Sequence, residues 1–348
     1  MYKHALVGAA LLVGCGATDP VSPPDPPSST SPPSAQDVPS PDAPPTTGSP
    51  PVTPPTGAPP ATPPAPKAKT ATECFKDLTG PVAGPDYDQF KPKVGDHCAG
   101  TAHQAITGVE KVVFLGDSVT VGTPPTLPQD FYRSVLTREL QKKFGQGLEI
   151  KSCAEWGARN DDFIGGKDEL AACFPGATEN KKTLVVMTMG GNDIASWAKD
   201  KLTTAQATAA ADTSAALLRG AIDWLKAPGR FVNGVYVVFA NVYEYTDTSG
   251  DMASCPTATL AGMSGSWPQG KPAVVHFQEQ YMKIAVETQT DMAFMLERFC
   301  GHGYKRKDAS LQCYRGPGAE LWFDATCIHP TPKGHAQIAD MFLDVIGR

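Results

Sequence analysis

Lys111-Val112-Val113-Phe114-Leu115-Gly116-Asp117-Ser118 is the stretch whose reading decides the fold. Val112–Leu115 are apolar without alternation, as in a strand covered on both faces. Gly116-Asp117 then breaks the run with turn chemistry. The same design recurs along the chain. Leu148–Cys153, Thr183–Met189 (TLVVMTM), Val235–Ala240 (VYVVFA) and Met292–Leu296 (MAFML) predict four more strands. Between them lie helical spacings. Gln129–Phe144 carries Phe131, Val135, Leu136 and Leu140 on one face. Thr203–Lys226 carries Ala210, Ser214, Leu217, Ala221 and Leu225, and Ala273–Thr288 and His335–Ile346 read as two more helices. Apolar strands alternating with helices predict an α/β fold with a five-stranded parallel sheet. Right-handed crossovers make it doubly wound and three-layered. In such sheets the chemistry sits beyond the carboxyl ends of the strands. The residues to inspect therefore follow Leu115, Cys153, Met189 and Ala240.

Outward from this body the composition shifts. The chain has 348 residues and 34 Pro, 20 of which fall between Pro20 and Pro66. Residues 16–66 are low-complexity Pro, Ser, Thr and Ala. They bury too little apolar area to fold and predict an extended tether. Residues 67–110 precede the first strand as an N-terminal extension without expected catalytic residues, and 111–348 form the α/β domain. A hydrophobic content of 41% supports a real core and excludes disordered or collagen-like chains. The formal net charge of −6 comes with no basic stripe, so nucleic acid is not an expected partner.

The first fifteen residues run from a basic start at Lys3 through the apolar Ala5–Gly14 to Cys15. That run is too short for a stable span and reads as an export signal. Leu12-Val13-Gly14-Cys15 resembles the lipobox of bacterial lipoproteins, which implies lipidation of Cys15. The alternative is an ordinary signal peptide cut near Ala17. Gly16 after the cysteine favours an outer-membrane or cell-surface destination in a Gram-negative source. With Cys15 set aside, eight cysteines remain, an even number that suits an oxidising compartment. Sequence neighbours suggest Cys74–Cys98, Cys153–Cys173 and Cys300–Cys313, leaving Cys255–Cys327. No CxxC or HExxH occurs, so neither a metal nor another cofactor is expected.

Gly116-Asp117-Ser118 presents a serine at a strand's carboxyl end. A serine nucleophile needs a base. His329 lies in Phe323-Asp324-Ala325-Thr326-Cys327-Ile328-His329-Pro330, a loop before the final helix that faces the same end of the sheet. His335, the weaker candidate base, reads as a residue that caps or starts the closing helix. A tetrahedral intermediate needs oxyanion donors. Gly190-Gly191-Asn192-Asp193 follows the third strand and offers the Asn192 amide. Trp156-Gly157-Ala158 follows the second and offers a close backbone N–H at Gly157.

Together these blocks, in this order, resemble the SGNH (GDSL) hydrolase superfamily. The resemblance spans about Lys111–Arg348. It implies a flavodoxin-like α/β/α sandwich and a serine esterase or lipase of the acyl-enzyme type. It implies Ser118 as nucleophile and His329 as base. It implies an oxyanion hole from the Ser118 N–H, the Gly157 N–H and the Asn192 side chain. The departure is at the acid. The family has Asp three residues before His, where this chain has Thr326, and Asp324 stands five before. Either the loop bulges so that Asp324 reaches His329, or a backbone carbonyl orients the ring.

The segment Val242–Lys271 follows the fourth strand and should overhang the cleft, where loops set specificity; the equal alternative is a solvent-exposed decoration pinned by Cys255. No long apolar lid is apparent, which favours short-chain or acetyl esters over long acyl chains. The expected partners are small-molecule, lipid or glycan esters, with membrane contact only through the anchor, and a monomer is expected. A lipase or phospholipase of the same family is the nearest alternative. A surface binding module that has lost activity is the second, motivated by the displaced Asp.

Overall fold

The computed structural model describes residues 69–76, 78, 84–165 and 168–347. The signal-like segment with Cys15 and the tether 16–66 lie outside the described residues. Five strands form one sheet: β1 Lys111–Gly116, β2 Glu149–Ser152, β3 Thr183–Thr188, β4 Val235–Ala240 and β5 Asp291–Ala293. All pair in parallel, in the order β2-β1-β3-β4-β5. β1 and β3 are buried along their whole length, the condition that unalternated apolar strands require.

The longer helices are α1 Tyr132–Phe144, α2 Gly191–Lys199, α3 Thr204–Leu225, α4 Lys271–Thr288, α5 Met295–Phe299 and α6 Pro332–Ile346. α1 packs on α6, and α3 packs on α4. Right-handed crossovers put these two pairs on opposite faces of the sheet. Two of the long helices start at side-chain caps. Thr203 and Gln206 form a capping box ahead of α3, and Thr331 caps α6 with Pro332 in its first turn. The buried stripe of α3 is Ala207, Ala211, Ser214, Leu218, Ala221 and Leu225. Ser214, Ala221 and Leu225 of the expected stripe are in it, whereas Ala210 and Leu217 are only half-buried.

Two further expectations need correction. The chain from Gln129 does not enter a helix at once; a 3-10 turn, Pro128–Asp130, precedes α1. Met292–Leu296 is not a strand throughout. β5 ends at Ala293, and Met295–Phe299 is the one-turn helix α5. The apolar run reflects burial in both halves, which periodicity over five residues does not separate.

The N-terminal extension is part of this architecture. Gly100 bridges Ala293 in antiparallel fashion, Thr101 N–H donates to Met292 O at 2.9 Å, and Phe294 N–H donates to Ala99 O at 2.8 Å. The buried Asp291 carboxylate accepts from Thr101 Oγ1 and His103 N–H at 2.9 and 2.6 Å. This covers the edge that β5 would otherwise expose. Phe75 and Tyr87 pack on Phe294 with ring centroids 5.0 and 5.7 Å away. Four disulfides are present: Cys74–Cys98, Cys153–Cys173, Cys255–Cys327 and Cys300–Cys313. Such a set belongs to an exported or extracellular protein.

Candidate active site

The connection from β1 leads to one side of the sheet and the connection from β3 to the other. The crevice beyond their carboxyl ends is therefore the topological switch point. β1 and β3 come very close there. A Cβ on Gly116 would lie 2.0 Å from Thr188 O, and Gly116 has φ +126°, so no other residue fits. Asp117 then caps the single helical turn Ser118–Val121. Its Oδ1 accepts from Val119 N–H at 3.0 Å and from Thr188 Oγ1 at 3.1 Å. Thr188, Thr120 and Tyr132 continue this as a buried hydroxyl chain at 2.7 and 2.6 Å. Burial pushes the Asp117 carboxyl up to about 7. The role of Asp117 is to hold the serine turn.

His329 Nε2 lies 2.9 Å from Ser118 Oγ. The ring is oriented by neither of the expected means. Its Nδ1 lies 2.8 Å from Thr326 Oγ1, and Thr326 Oγ1 donates to Asp324 Oδ1. Asp324 Oδ1 also accepts from Thr326 N–H at 2.8 Å, an Asx turn. The direction of the chain follows from donor inventory. An ionised carboxylate only accepts, so the Thr326 hydroxyl gives its proton to Asp324. The hydroxyl oxygen is then free to accept Nδ1–H, which leaves the Nε2 lone pair facing Ser118. Burial lowers the pKa of His329, and the Asp324 charge opposes that shift.

The spacing has a backbone cause. Phe323 and Pro330 bridge in antiparallel fashion, and Asp324 N–H donates to His329 O at 2.9 Å. The loop between is closed tightly, with Cys327 in the left-handed region at φ +75°. Cys327 is bonded to Cys255 in the insertion after β4, and Thr257 Oγ1 donates to Ala325 O. Asp324, 6% exposed, turns under the loop while Thr326 stands beside the imidazole. The other described histidines make different contacts. His335 is buried in α6, its Nδ1 accepting from Tyr132 N–H at 3.2 Å, and burial lowers it to about 4. His302 stacks on Trp322, and His276 meets Asp212 at 2.6 Å.

Asn192 opens α2, and its Nδ2 donates to Ala158 O at 2.9 Å. That bond ties it to the turn containing Gly157, an exposed residue with φ +76°. Gly190 enters α2 at φ +102°, where a Cβ would meet Tyr281 Oη at 2.4 Å. A buried network fixes this junction. Asn160 Nδ2 donates to Ser214 Oγ and Tyr281 Oη at 2.8 and 3.0 Å. Asp193 accepts from Ser214 Oγ at 2.9 Å and from Asn160 N–H at 3.3 Å. Sequence reasoning passed over Asn160, Ser214 and Tyr281. The one signal was the polar Asn160 in the loop just after Gly157.

An apolar cavity of about 190 Å³ adjoins Ser118. Ser118, Val119 and Asn192 bound it on one side, and α2, the insertion 242–271 and α4 form its walls. Leu78 and Pro85 of the N-terminal extension also line it, a part that residues 67–110 were not expected to play.

A sequence model of the GDSL-like lipase/acylhydrolase family matches residues 114–337. No curated protein matches the chain in sequence. Among solved structures, an extracellular lipase from Streptomyces rimosus is 20% identical, with 68% of this chain and 100% of that chain covered and a TM-score of 0.45. Phospholipase A1 from Streptomyces albidoflavus NA297 is 15% identical, covering 68% and 99%, with a TM-score of 0.45. An acetyl xylan esterase is 16% identical, covering 68% and 100%, with a TM-score of 0.46.

Proposed function

We propose, from the premise that the chain belongs to the GDSL-like lipase/acylhydrolase family of ester-hydrolysing enzymes, that it is a serine esterase acting through an acyl-enzyme. The observation that carries this is the 2.9 Å approach of His329 Nε2 to Ser118 Oγ. A serine hydroxyl is a weak nucleophile until a base removes its proton. In the proposed reaction Ser118 Oγ attacks the ester carbonyl and His329 Nε2 takes the proton. The imidazolium is stabilised through Nδ1–H to Thr326 Oγ1 and onward to the Asp324 charge. The oxyanion is received by the Ser118 N–H, the Gly157 N–H and the Asn192 amide. His329 returns the proton to the leaving alcohol, and water releases the acid by the same steps.

The displaced Asp motivated the reading of an inactive binding module. The Thr326 link weakens that reading, because the imidazole still has an acceptor at Nδ1 backed by a carboxylate. We also propose that the enzyme is exported and anchored through lipid on Cys15. The test is hydrolysis of p-nitrophenyl esters by the full chain, compared with Ser118→Ala and with labelling by a fluorophosphonate. Turnover that Ser118→Ala abolishes is the expected result. No turnover of any ester together with no labelling would falsify the esterase. For the anchor, Cys15→Ser should release the protein from membranes, and unchanged retention would refute lipidation.

A further inference from the structure

We infer that the cavity beside Ser118 is an acyl pocket sized for a medium-chain acid, about hexanoyl to octanoyl. The inference rests on the serine esterase reading and adds its substrate class. Ile194 and Ala198 of α2, Val242, Met263 and Trp267 of the insertion, and Val274 of α4 present an almost wholly apolar wall. Ala198, Val242, Met263 and Trp267 are each less than a tenth exposed. The only hydrogen-bonding group of the Trp267 ring is already used, donating to Leu202 O at 2.8 Å, so it asks nothing of a ligand. Water in such a space makes few hydrogen bonds, and an alkyl chain that displaces it gains the hydrophobic term.

Orientation follows from the site. The leaving oxygen must lie within reach of His329 Nε2 to take up its proton. The cavity is bounded by Ser118 and Asn192 and not by His329. The ester's carbon chain on the acyl side therefore enters the cavity, and the alcohol departs on the histidine side. Length follows from volume. About 190 Å³ is somewhat more than the ~150 Å³ apolar cavity that accepts a six-carbon benzene ring, which gives a chain of roughly six to eight carbons. The expectation of acetyl or very short esters rested on the lack of an apolar lid. The pocket is instead assembled from α2, α4 and the disulfide-braced insertion, and its chain-length preference is set inside the fold.

The test uses the full chain with p-nitrophenyl acetate, butyrate, hexanoate, octanoate, dodecanoate and palmitate. kcat/KM should peak at hexanoate or octanoate, at least tenfold above acetate, and fall beyond dodecanoate. A profile that is flat or highest at acetate overturns the acyl pocket while leaving the esterase standing. Failure to hydrolyse any ester or to bind a fluorophosphonate sinks the esterase itself. The isomers ethyl octanoate and octyl acetate separate the two sides of the ester: ethyl octanoate should be preferred, and preference for octyl acetate puts the alcohol in the cavity. Ala198→Phe should lower the octanoate-to-acetate ratio of kcat/KM at least tenfold. Met263→Ala, which removes bulk and so tests the pocket even where the added ring prevents folding, should move the optimum to a longer chain. An unchanged optimum in Met263→Ala counts against the pocket.

Discussion

Replacing Thr326 with Val keeps the side chain's shape and removes the one atom that joins His329 to Asp324. Two hydrogen bonds are lost, the 2.8 Å contact to Nδ1 and the donation to Asp324 Oδ1. The second matters little to catalysis on its own, because Asp324 keeps the Thr326 N–H at 2.8 Å. The first is worth about 1 kcal/mol to a neutral imidazole but ~1.5–3 kcal/mol once the ring is charged in the transition state. Only the difference between the two, about 0.5–2 kcal/mol, appears in kcat, so the lost bond alone bounds the fall at roughly 2- to 30-fold. Thr326 is exposed, so water can take over part of the Nδ1–H bond, and the lower part of that range, about 3- to 10-fold, is expected. This is far less than the ~10⁴-fold loss when an acid in direct contact with the histidine is neutralised. The assay is kcat on a p-nitrophenyl ester at a pH above the His329 titration, with thermal unfolding as a check on folding. Thr326→Ser should stay within about threefold of the native rate, since the hydroxyl is retained. Asp324→Asn should move the acid limb of kcat/KM to lower pH. The Asp324 charge raises the His329 pKa against the lowering effect of burial, and removing it lets the ring stay neutral further into acid. If Thr326→Val matches the native enzyme within twofold while Asp324→Asn loses more than a hundredfold, Asp324 acts on His329 directly and the relay is wrong.

Three other outcomes follow from the same geometry. Asn192→Ala should cut kcat by about 10²–10³ with little change in KM, as for a donor used only in the transition state; a change confined to KM would remove it from the oxyanion hole. Burial raises Glu169 to about 8 and Asp117 to about 7. The folded state then holds protons that the unfolded chain has released, so stability should fall as pH rises from 6.5 to 8; Glu169→Gln should flatten that slope in a Tm-against-pH series, and an unaltered slope rules Glu169 out as its source. A Cys255→Ser, Cys327→Ser double variant should lose activity at temperatures well below its Tm, because the bridge holds the loop carrying Thr326 and His329; activity that declines only with unfolding would limit the bridge to global stability.

The parts of this enzyme that were legible in the sequence are those where one short segment carries its own physical signature. Val112–Leu115 and Leu184–Met187 read as buried strands because nothing in them tolerates water. Gly116 and Gly190 were legible as turns because their positive φ angles and close approaches admit no Cβ. What was not legible depends on meetings between distant segments. The cover on the edge of β5 comes from the extension at Ala99–Thr101, where Thr101 arrives across 190 residues to bond Asp291. The cavity has walls from α2, the insertion and α4, and no single stretch of these looks like a lid. α3 is a further case: Ala207, Ala211 and Leu218 are buried where Ala210 and Leu217 were expected.

The spacing of Asp324 and His329 looks different in this light. Here Asp324 N–H and His329 O close the loop between them, which commits Asp324 to the stem and its carboxylate to the Asx turn beneath Thr326. Cys327 can hold its left-handed conformation because the bond to Cys255 fixes it from outside. The same bridge joins the loop carrying Thr326 and His329 to the insertion whose Met263 and Trp267 line the cavity. The His329 loop and the wall of the cavity are thus mechanically one piece, built on residues 242–271 and 323–330. A change in that insertion that alters chain-length preference should therefore also alter the His329 titration, even though no residue of the insertion hydrogen-bonds the imidazole among the described residues.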